Sequence, residues 1–348
     1  MRAMAVVDYT RPLELLDLAV PEPGPGQVLV RVLYCGVCYS DLKTATGHMP
    51  FSSRLRLPHV PGHEVSGEVA AVGGDAALRQ GQRVVVYNYW ACGACRTCSA
   101  GEENICLDLK GWVGFTTPGG FQEYLDVPRS AVLPLPDSIP PEHAATLSCA
   151  IGTSYRAVVT RGQVAPGATV LVIGVGGVGL HAVQVARAAG ARVLAVDTEP
   201  RKLERAREHG AVARALASAH AAEWVRENTD GAGADLVVDT AGKRESLALA
   251  SAAVRIGGRV VLVGYTVGEA YPVPSAETVL GEVTYLGSRY VKRDELARAI
   301  QLVAAGAIRP VVDTVLDLEQ ANEAFARLQR GDPAGRVVLR VAGDRARA

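Results

Sequence analysis

VLVIGVGGVGLHAVQVARAAGARVLAVD, residues 170–197, is a buried apolar run, a glycine loop, an amphipathic stretch of helical length, a second apolar run and a closing acid. Gly174, Gly176 and Gly179 form G-x-G-x-x-G between the first run and the helix, Gly177 and Val178 complete the loop, and Asp197 ends the next strand. Glycines there let backbone N–H groups approach a pyrophosphate resting on the helix N-terminus, and the acid accepts a hydrogen bond from a ribose hydroxyl. The segment is therefore a candidate dinucleotide site. Asp197 would repel a 2′-phosphate, which favours NAD over NADP; Arg201 and Lys202, the latter a further candidate cofactor contact, pull the other way. The plainer alternative is a tight helix–strand packing loop.

Outward from this loop the alternation continues. ADLVVDT (234–240), GRVVLVG (258–264) and EVTYLGS (282–288) are strand candidates, and RKLERAREHG (201–210), RESLALASAAVR (244–255) and DELARAIQLVAAG (294–306) are helix candidates. Strands alternating with helices predict a doubly wound parallel α/β domain over residues 152–288. Before it, QVLVRVLY (27–34), HEVSGEVAAVG (63–73) and QRVVVY (82–87) alternate between Gly/Pro clusters such as PEPGPG (21–26). Residues 1–151 are thus expected to form a small, mostly antiparallel β domain. Residues 289–348 carry one or two helices and the strand GRVVLRV (335–341), expected to return to the first domain.

The 348 residues, 49% of them hydrophobic, suffice for about two domains with sizeable cores. Thirty-six basic residues balance thirty-six acidic ones, so there is no electrostatic ground for nucleic acid or a membrane surface as partner, and a small molecule is expected instead. The N-terminus MRAMAVVDYT lacks a secretory pattern, and the longest apolar run, Ala168 to Leu180, falls short of the roughly 18 residues of a membrane span. A cytoplasmic location is the expectation. In a reducing compartment, seven cysteines point to metal ligands or catalytic thiols rather than disulfides.

Four of them, Cys92, Cys95, Cys98 and Cys106, stand in ACGACRTCSAGEENIC (91–106) as C-x2-C-x2-C-x7-C. Four thiolates so close in sequence can surround one ion tetrahedrally and leave it no open position, the pattern of a structural zinc. The rival is an iron–sulfur cluster, whose bacterial run also has C-x2-C-x2-C but continues with a nearer fourth cysteine and Pro. Three cysteines remain for a catalytic zinc, which needs three protein ligands and one open position, Cys2His being a known set. Cys38 in CGVCYSD (35–41), His63 in PGHE (61–64) and Cys149 in TLSCAIGTS (146–154) are the candidates, with Cys35 able in principle to pair with Cys38 and shift the set. Asp41 and Glu64 stand near them in sequence, as carboxylates that orient a metal histidine do. His48 and His59 are expected to be surface or loop residues rather than ligands.

Together these motifs resemble the zinc-containing medium-chain dehydrogenase/reductase family, which includes the alcohol dehydrogenases. The resemblance spans the chain and rests on GVCYSD, GHE, the four-cysteine lobe, TLSC, VIGVGGVG with Asp197, and the closing GRVVL. It implies a GroES-like β-barrel catalytic domain plus a doubly wound Rossmann domain, zinc at both sites, and reversible hydride transfer between an alcohol and NAD. By the same resemblance Cys38, His63 and Cys149 hold the catalytic zinc, Glu64 is an acidic neighbour able to approach it, and Asp41 holds His63. Arg336 in GRVVL meets the cofactor phosphates, and Ser40 receives the alcohol proton.

Two positions depart from the family's commonest pattern. Tyr39 stands where many members carry Arg or His toward the pyrophosphate, and Lys43 where many carry a histidine that passes the proton on. A lysine does so only with a lowered pKa, so the relay ends on Lys43 or on water. Tyr89, Trp90, Trp112 and Phe115 either line an apolar substrate channel or belong to the core; a channel of that kind disfavours a polyol, which needs polar pocket groups. A specialised biosynthetic dehydrogenase and a non-catalytic dinucleotide-binding protein are the remaining alternatives. The family's habit makes a homodimer or homotetramer the expected assembly.

Overall fold

Six strands of the second half, Thr169–Ile173, Arg192–Asp197, Val212–Ala215, Ala234–Asp239, Val254–Leu262 and Thr284–Gly287, pair as one parallel sheet, with one register shift after Ala234. Numbered one to six in chain order, they stand 3-2-1-4-5-6. In this doubly wound order a crevice opens beyond the carboxyl ends of the first and fourth strands, where the winding reverses. A parallel sheet buried on both faces needs continuously apolar strands, and Val170, Leu171, Val172, Leu236, Val237 and Val238 are all buried. Leu171, Leu194 and Val237 pack with Trp224, Val225 and Leu247 from the helices Ser218–Glu227 and Arg244–Ala253. Each such leucine contributes about 2 kcal/mol by leaving water.

The helices start and stop where their residues dictate. Pro200 opens the helix Pro200–Glu208, where its missing N–H costs nothing, and Gly210 leaves it at φ +86°. The helix Gly177–Ala188 is followed by Gly190 at φ +84°.

This computed structural model describes residues 1–74, 78–215 and 218–342. The sheet and its helices belong to a unit formed by Ala150–Val291 and Ala305–Arg309, and the rest of the chain forms a second unit. In that second unit one sheet runs in the order Val312–Asp317, Arg336–Arg340, Gln27–Val37, Glu64–Val72, Arg83–Val86, Val132–Pro134, and Tyr124–Pro128 also pairs with Gln27–Val37. All its pairings are antiparallel except that of Val312–Asp317 with Arg336–Arg340. The strand Gln27–Val37 is its spine, with Val28, Val30, Val32 and Val37 fully buried. Its pairing with Arg336–Arg340 sets Val337 opposite Val37 and so brings the start of that strand beside Cys38. Among the described residues no helix is long and apolar enough to cross a membrane.

Candidate active site

Three local structures deliver the first set of donors. Cys38 follows the strand Gln27–Val37 and caps the helix Tyr39–Ala45; His63 and Glu64 stand at the start of the neighbouring strand Glu64–Val72; Cys149 lies in a turn of π-helix, Leu147–Ile151. Single π turns recur at functional sites because they re-aim a side chain. One ligand atom from each of Cys38, His63, Glu64 and Cys149 lies within 4.8 Å of every other. Cys35 is not in the set: its buried thiol, pushed well up by burial, packs beside Gly62 and Gly120.

Asp41, fully buried, holds this arrangement. Its Oδ1 is 2.7 Å from His63 Nδ1, its Oδ2 accepts the Cys38 N–H at 2.8 Å, and the Gly62 N–H reaches Oδ1 at 3.2 Å. One carboxylate thus fixes the ring of one donor and the backbone of another, and turns Nε2 toward the other donors, 3.9 Å from Glu64 Oε1. Replacing Asp41 with Ala is expected to weaken zinc binding about 10- to 100-fold, a loss measurable by competition with a chromogenic chelator. Glu64 is also fully buried, and its Oε2 lies 3.1 Å from Arg336 Nε. Gly36 makes room for it: a Cβ there would sit 2.4 Å from Glu64 Oε2.

The electrostatics fit a cation. Burial opposes the charged form of His63, but the Asp41 carboxylate outweighs it and raises the imidazole to about 10. Burial pushes the Glu64 carboxyl up to about 7 against the pull of Arg336. Cys149 donates to Cys38, which holds the Cys38 thiol well below its usual range and the Cys149 thiol well above. Two sulfurs sharing one proton, an imidazole and a carboxylate in one buried pocket are a donor set that a divalent ion completes by displacing protons.

Four aromatic rings back the cluster. Phe115 lies 4.8 Å from the His63 ring and 4.2 Å from Trp112, and Tyr89 stacks on Trp112 at 5.6 Å. Phe51, for which the sequence offers no periodic signal, joins at 5.4 Å from Trp112. Ser40 sits with its Oγ 3.8 Å from Cys38 Sγ. Lys43 is partly buried, which lowers its pKa, and its Nζ stands 5.7 Å over the ring of exposed Tyr39. His59 is buried rather than on the surface, its Nε2 3.0 Å from the Gly114 carbonyl oxygen.

The second donor set is the lobe around residues 92–106. Its sulfurs stand 3.9 Å apart for Cys92 and Cys98, 3.5 Å for Cys95 and Cys98, 3.8 Å for Cys95 and Cys106, and 3.6 Å for Cys92 and Cys106. Four sulfurs each about 2.3 Å from one tetrahedral zinc would stand about 3.8 Å apart. A cluster of several iron atoms would spread them further. The Cys92 thiol accepts the Ala94 and Cys95 N–H groups, the Thr97 hydroxyl brings Cys95 down to about 5, and burial with the neighbouring thiols pushes Cys98 up to about 12. Four thiolates at such distances repel one another unless a cation sits among them.

The third site is the glycine loop. Gly174, at φ +82°, leaves the first strand of the parallel sheet, Gly176 caps the helix Gly177–Ala188, and a Cβ on Gly176 would meet nothing within 4 Å. That open space over a helix N-terminus suits a pyrophosphate. Asp197 ends the second strand with Oδ2 accepting the Val175 N–H at 2.7 Å and Oδ1 the Glu199 N–H at 3.0 Å. Lys202 lies partly buried in the helix Pro200–Glu208. Arg336, expected at the cofactor phosphates, has its Nε turned to Glu64 and its Nη1 donating to the Val37 carbonyl at 3.4 Å.

Comparison with known proteins takes in nearly the whole chain. Residues 24–137 match the family model of the alcohol dehydrogenase GroES-like domain, and residues 177–305 match that of the zinc-binding dehydrogenases. An alcohol dehydrogenase of Geobacillus stearothermophilus is 38% identical over 345 residues, which span 98% of this chain and 100% of the relative. An NAD-dependent alcohol dehydrogenase of Sulfurisphaera tokodaii is 33% identical over 97% of this chain and 99% of its own. A crystal structure of an NAD-dependent alcohol dehydrogenase superposes with a TM-score of 0.91 at 34% identity, covering 98% of this chain and 100% of the other.

Proposed function

The chain belongs to the zinc-dependent medium-chain alcohol dehydrogenase family, and from that premise we propose that it transfers hydride reversibly between a primary, secondary or aromatic alcohol and NAD, giving the aldehyde or ketone. The observation that carries this reading is the cluster of half-buried Cys38 with buried His63, Glu64 and Cys149, in which Asp41 is bonded to His63. Held by Cys38, His63 and Cys149, zinc supplies a Lewis acid for the alcohol oxygen, and NAD supplies the hydride acceptor. The second zinc, among Cys92, Cys95, Cys98 and Cys106, is structural.

The protein's own groups do the rest. Ser40, beside Cys38, takes the alcohol proton at its Oγ. Lys43, its pKa lowered by burial, carries that proton on. Asp41 keeps Nε2 of His63 aimed at the donor cluster, and Arg336 restrains Glu64. Arg336 Nη2, which makes no hydrogen bond among the described residues, is the group we assign to the cofactor phosphates. Phe51, Trp112 and Phe115 exclude water beside His63 and favour an apolar or aromatic alcohol over a polyol.

Gly174, Gly176, Gly177, Val178 and Gly179 present backbone to the pyrophosphate, with Asp197 on the ribose and Lys202 at the adenosine end. A Cβ on Gly179 would fall 1.9 Å from the Gly174 carbonyl oxygen. Gly179→Ala is therefore expected to weaken NADH binding at least about tenfold, roughly 1.4 kcal/mol, with zinc content unchanged, as read by NADH fluorescence. We further place the protein in the cytoplasm, where its thiols stay reduced, as a homodimer or homotetramer.

The test is a panel of primary, secondary, benzylic and polyol alcohols with NAD or NADP, followed by NADH or NADPH absorbance. Turnover with NAD and apolar alcohols supports the reading. No turnover with any alcohol or carbonyl, from protein that retains both zinc ions, overturns it.

A further inference from the structure

The glycine loop is gripped at a single peptide plane. Gly174 emerges from the first strand of the parallel sheet at φ +82°. Thr240, directly beyond the fourth strand Ala234–Asp239, donates its hydroxyl to the Gly174 carbonyl oxygen at 2.7 Å, with the Ile173 oxygen also in reach at 3.1 Å. The Thr240 N–H donates to that Ile173 oxygen at 3.0 Å. From the other side, the Val175 N–H donates to Asp197 Oδ2 at 2.7 Å, at the end of the second strand. The peptide joining Gly174 to Val175 is thus held by its oxygen from the fourth strand and by its N–H from the second.

This grip sets the geometry of the loop. A glycine at positive φ has wide torsional freedom, so its neighbours must fix its orientation. Space for error is small: a Cβ on Gly179 would meet the Gly174 oxygen at 1.9 Å, and one on Gly174 would meet Thr240 Oγ1 at 3.0 Å. The N–H groups at the N-terminus of the helix Gly177–Ala188 come next in the chain, over the open space at Gly176. Their direction is set by the plane of the peptide before them.

We propose that Thr240 is a positioning residue for the dinucleotide. Its hydroxyl, paired across the loop with Asp197, locks the Gly174–Val175 peptide so that the loop N–H groups converge on the pyrophosphate. Asp197 then serves twice, as loop anchor through Oδ2 and as ribose acceptor through Oδ1. The proposal rests on the reading of this loop as the NAD site, and Thr240 belongs to neither zinc cluster.

NADH fluorescence titration of the full-length, zinc-loaded protein tests it, alongside Thr240→Val, Thr240→Ala and Thr240→Ser. Loss of the hydroxyl in Thr240→Val is expected to raise the NADH Kd about tenfold, and the KM for NAD in step, while kcat and zinc content stay within about twofold. Thr240→Ala must show the same loss without the bulk of valine, and Thr240→Ser must restore Kd to within about twofold. A threonine that merely stabilises the fold would lower Tm and leave Kd and KM unmoved; that outcome, or failure of serine to rescue, overturns the proposal. If the unsubstituted protein binds no NADH, the dinucleotide reading falls and this proposal with it. If it binds NADH and Thr240→Val binds equally well, this proposal falls alone.

Discussion

Replacing His63 with Ala is expected to lower kcat/KM for alcohol oxidation by at least about a thousandfold, some 4 kcal/mol of transition-state stabilisation, and to cut bound zinc from two per chain to one. His63 brings the one nitrogen to its donor set. Without it, two sulfurs that share a proton and a carboxylate drawn to Arg336 are left to bind the ion. Asp41 loses its bond to the ring but keeps those from the Cys38 and Gly62 N–H groups, so the backbone stays in place. The defect is therefore in metal binding and catalysis, with the fold largely intact. Steady-state rates together with elemental analysis check it, and a His63→Ala protein that keeps both zinc ions and its rate would contradict the assignment.

Cys106→Ser has the opposite signature. The lobe from Ala91 to Lys110 buries a single residue, Asn104, and leaves Ile105 and Leu107 exposed at 42% and 61%. Its helix, Arg96–Ser99, has only four residues, too few to be stable alone. A segment with no apolar core draws its order from the ion its cysteines share. It is also tied into its unit, since Glu103 accepts the Arg293 N–H at 2.7 Å and Glu102 pairs with Lys292 at 3.5 Å. Losing that zinc is expected to cost about 4 kcal/mol and lower Tm by about 10 °C. Molecules still folded should retain kcat, because no lobe cysteine enters the catalytic cluster. Calorimetry with rates measured well below Tm separates the two effects.

Legibility in the sequence followed the range of the interactions. The glycine loop and the four-cysteine lobe are local, so spacing alone exposes them: the strand, loop, helix, strand and acid of residues 170–197 appear where the motif requires. The candidate ligands Cys38, His63 and Cys149 are visible as residues, but their meeting depends on the pairing of Gly36 with Glu64 and on the turn that aims Cys149. The Arg336–Glu64 ion pair is invisible from either end. It exists because the last strand pairs with Gln27–Val37, a contact set by sheet topology rather than by any local pattern. Thr240 reads in ADLVVDT as the last residue of a strand; its bond to Gly174 emerges only once the first and fourth strands are known to be neighbours. Phe51, alone between Pro50 and Ser52, offers no periodicity to read.

Removal of the zinc we assign to Cys38, His63 and Cys149 bears most directly on how this protein works. Dialysis against a chelator that leaves the cysteine lobe loaded should abolish NAD-linked alcohol turnover in step with the loss of one zinc per chain, and one equivalent of added zinc should restore it. Turnover that continues at full rate after that ion has gone would contradict the assignment of this cluster as the catalytic centre.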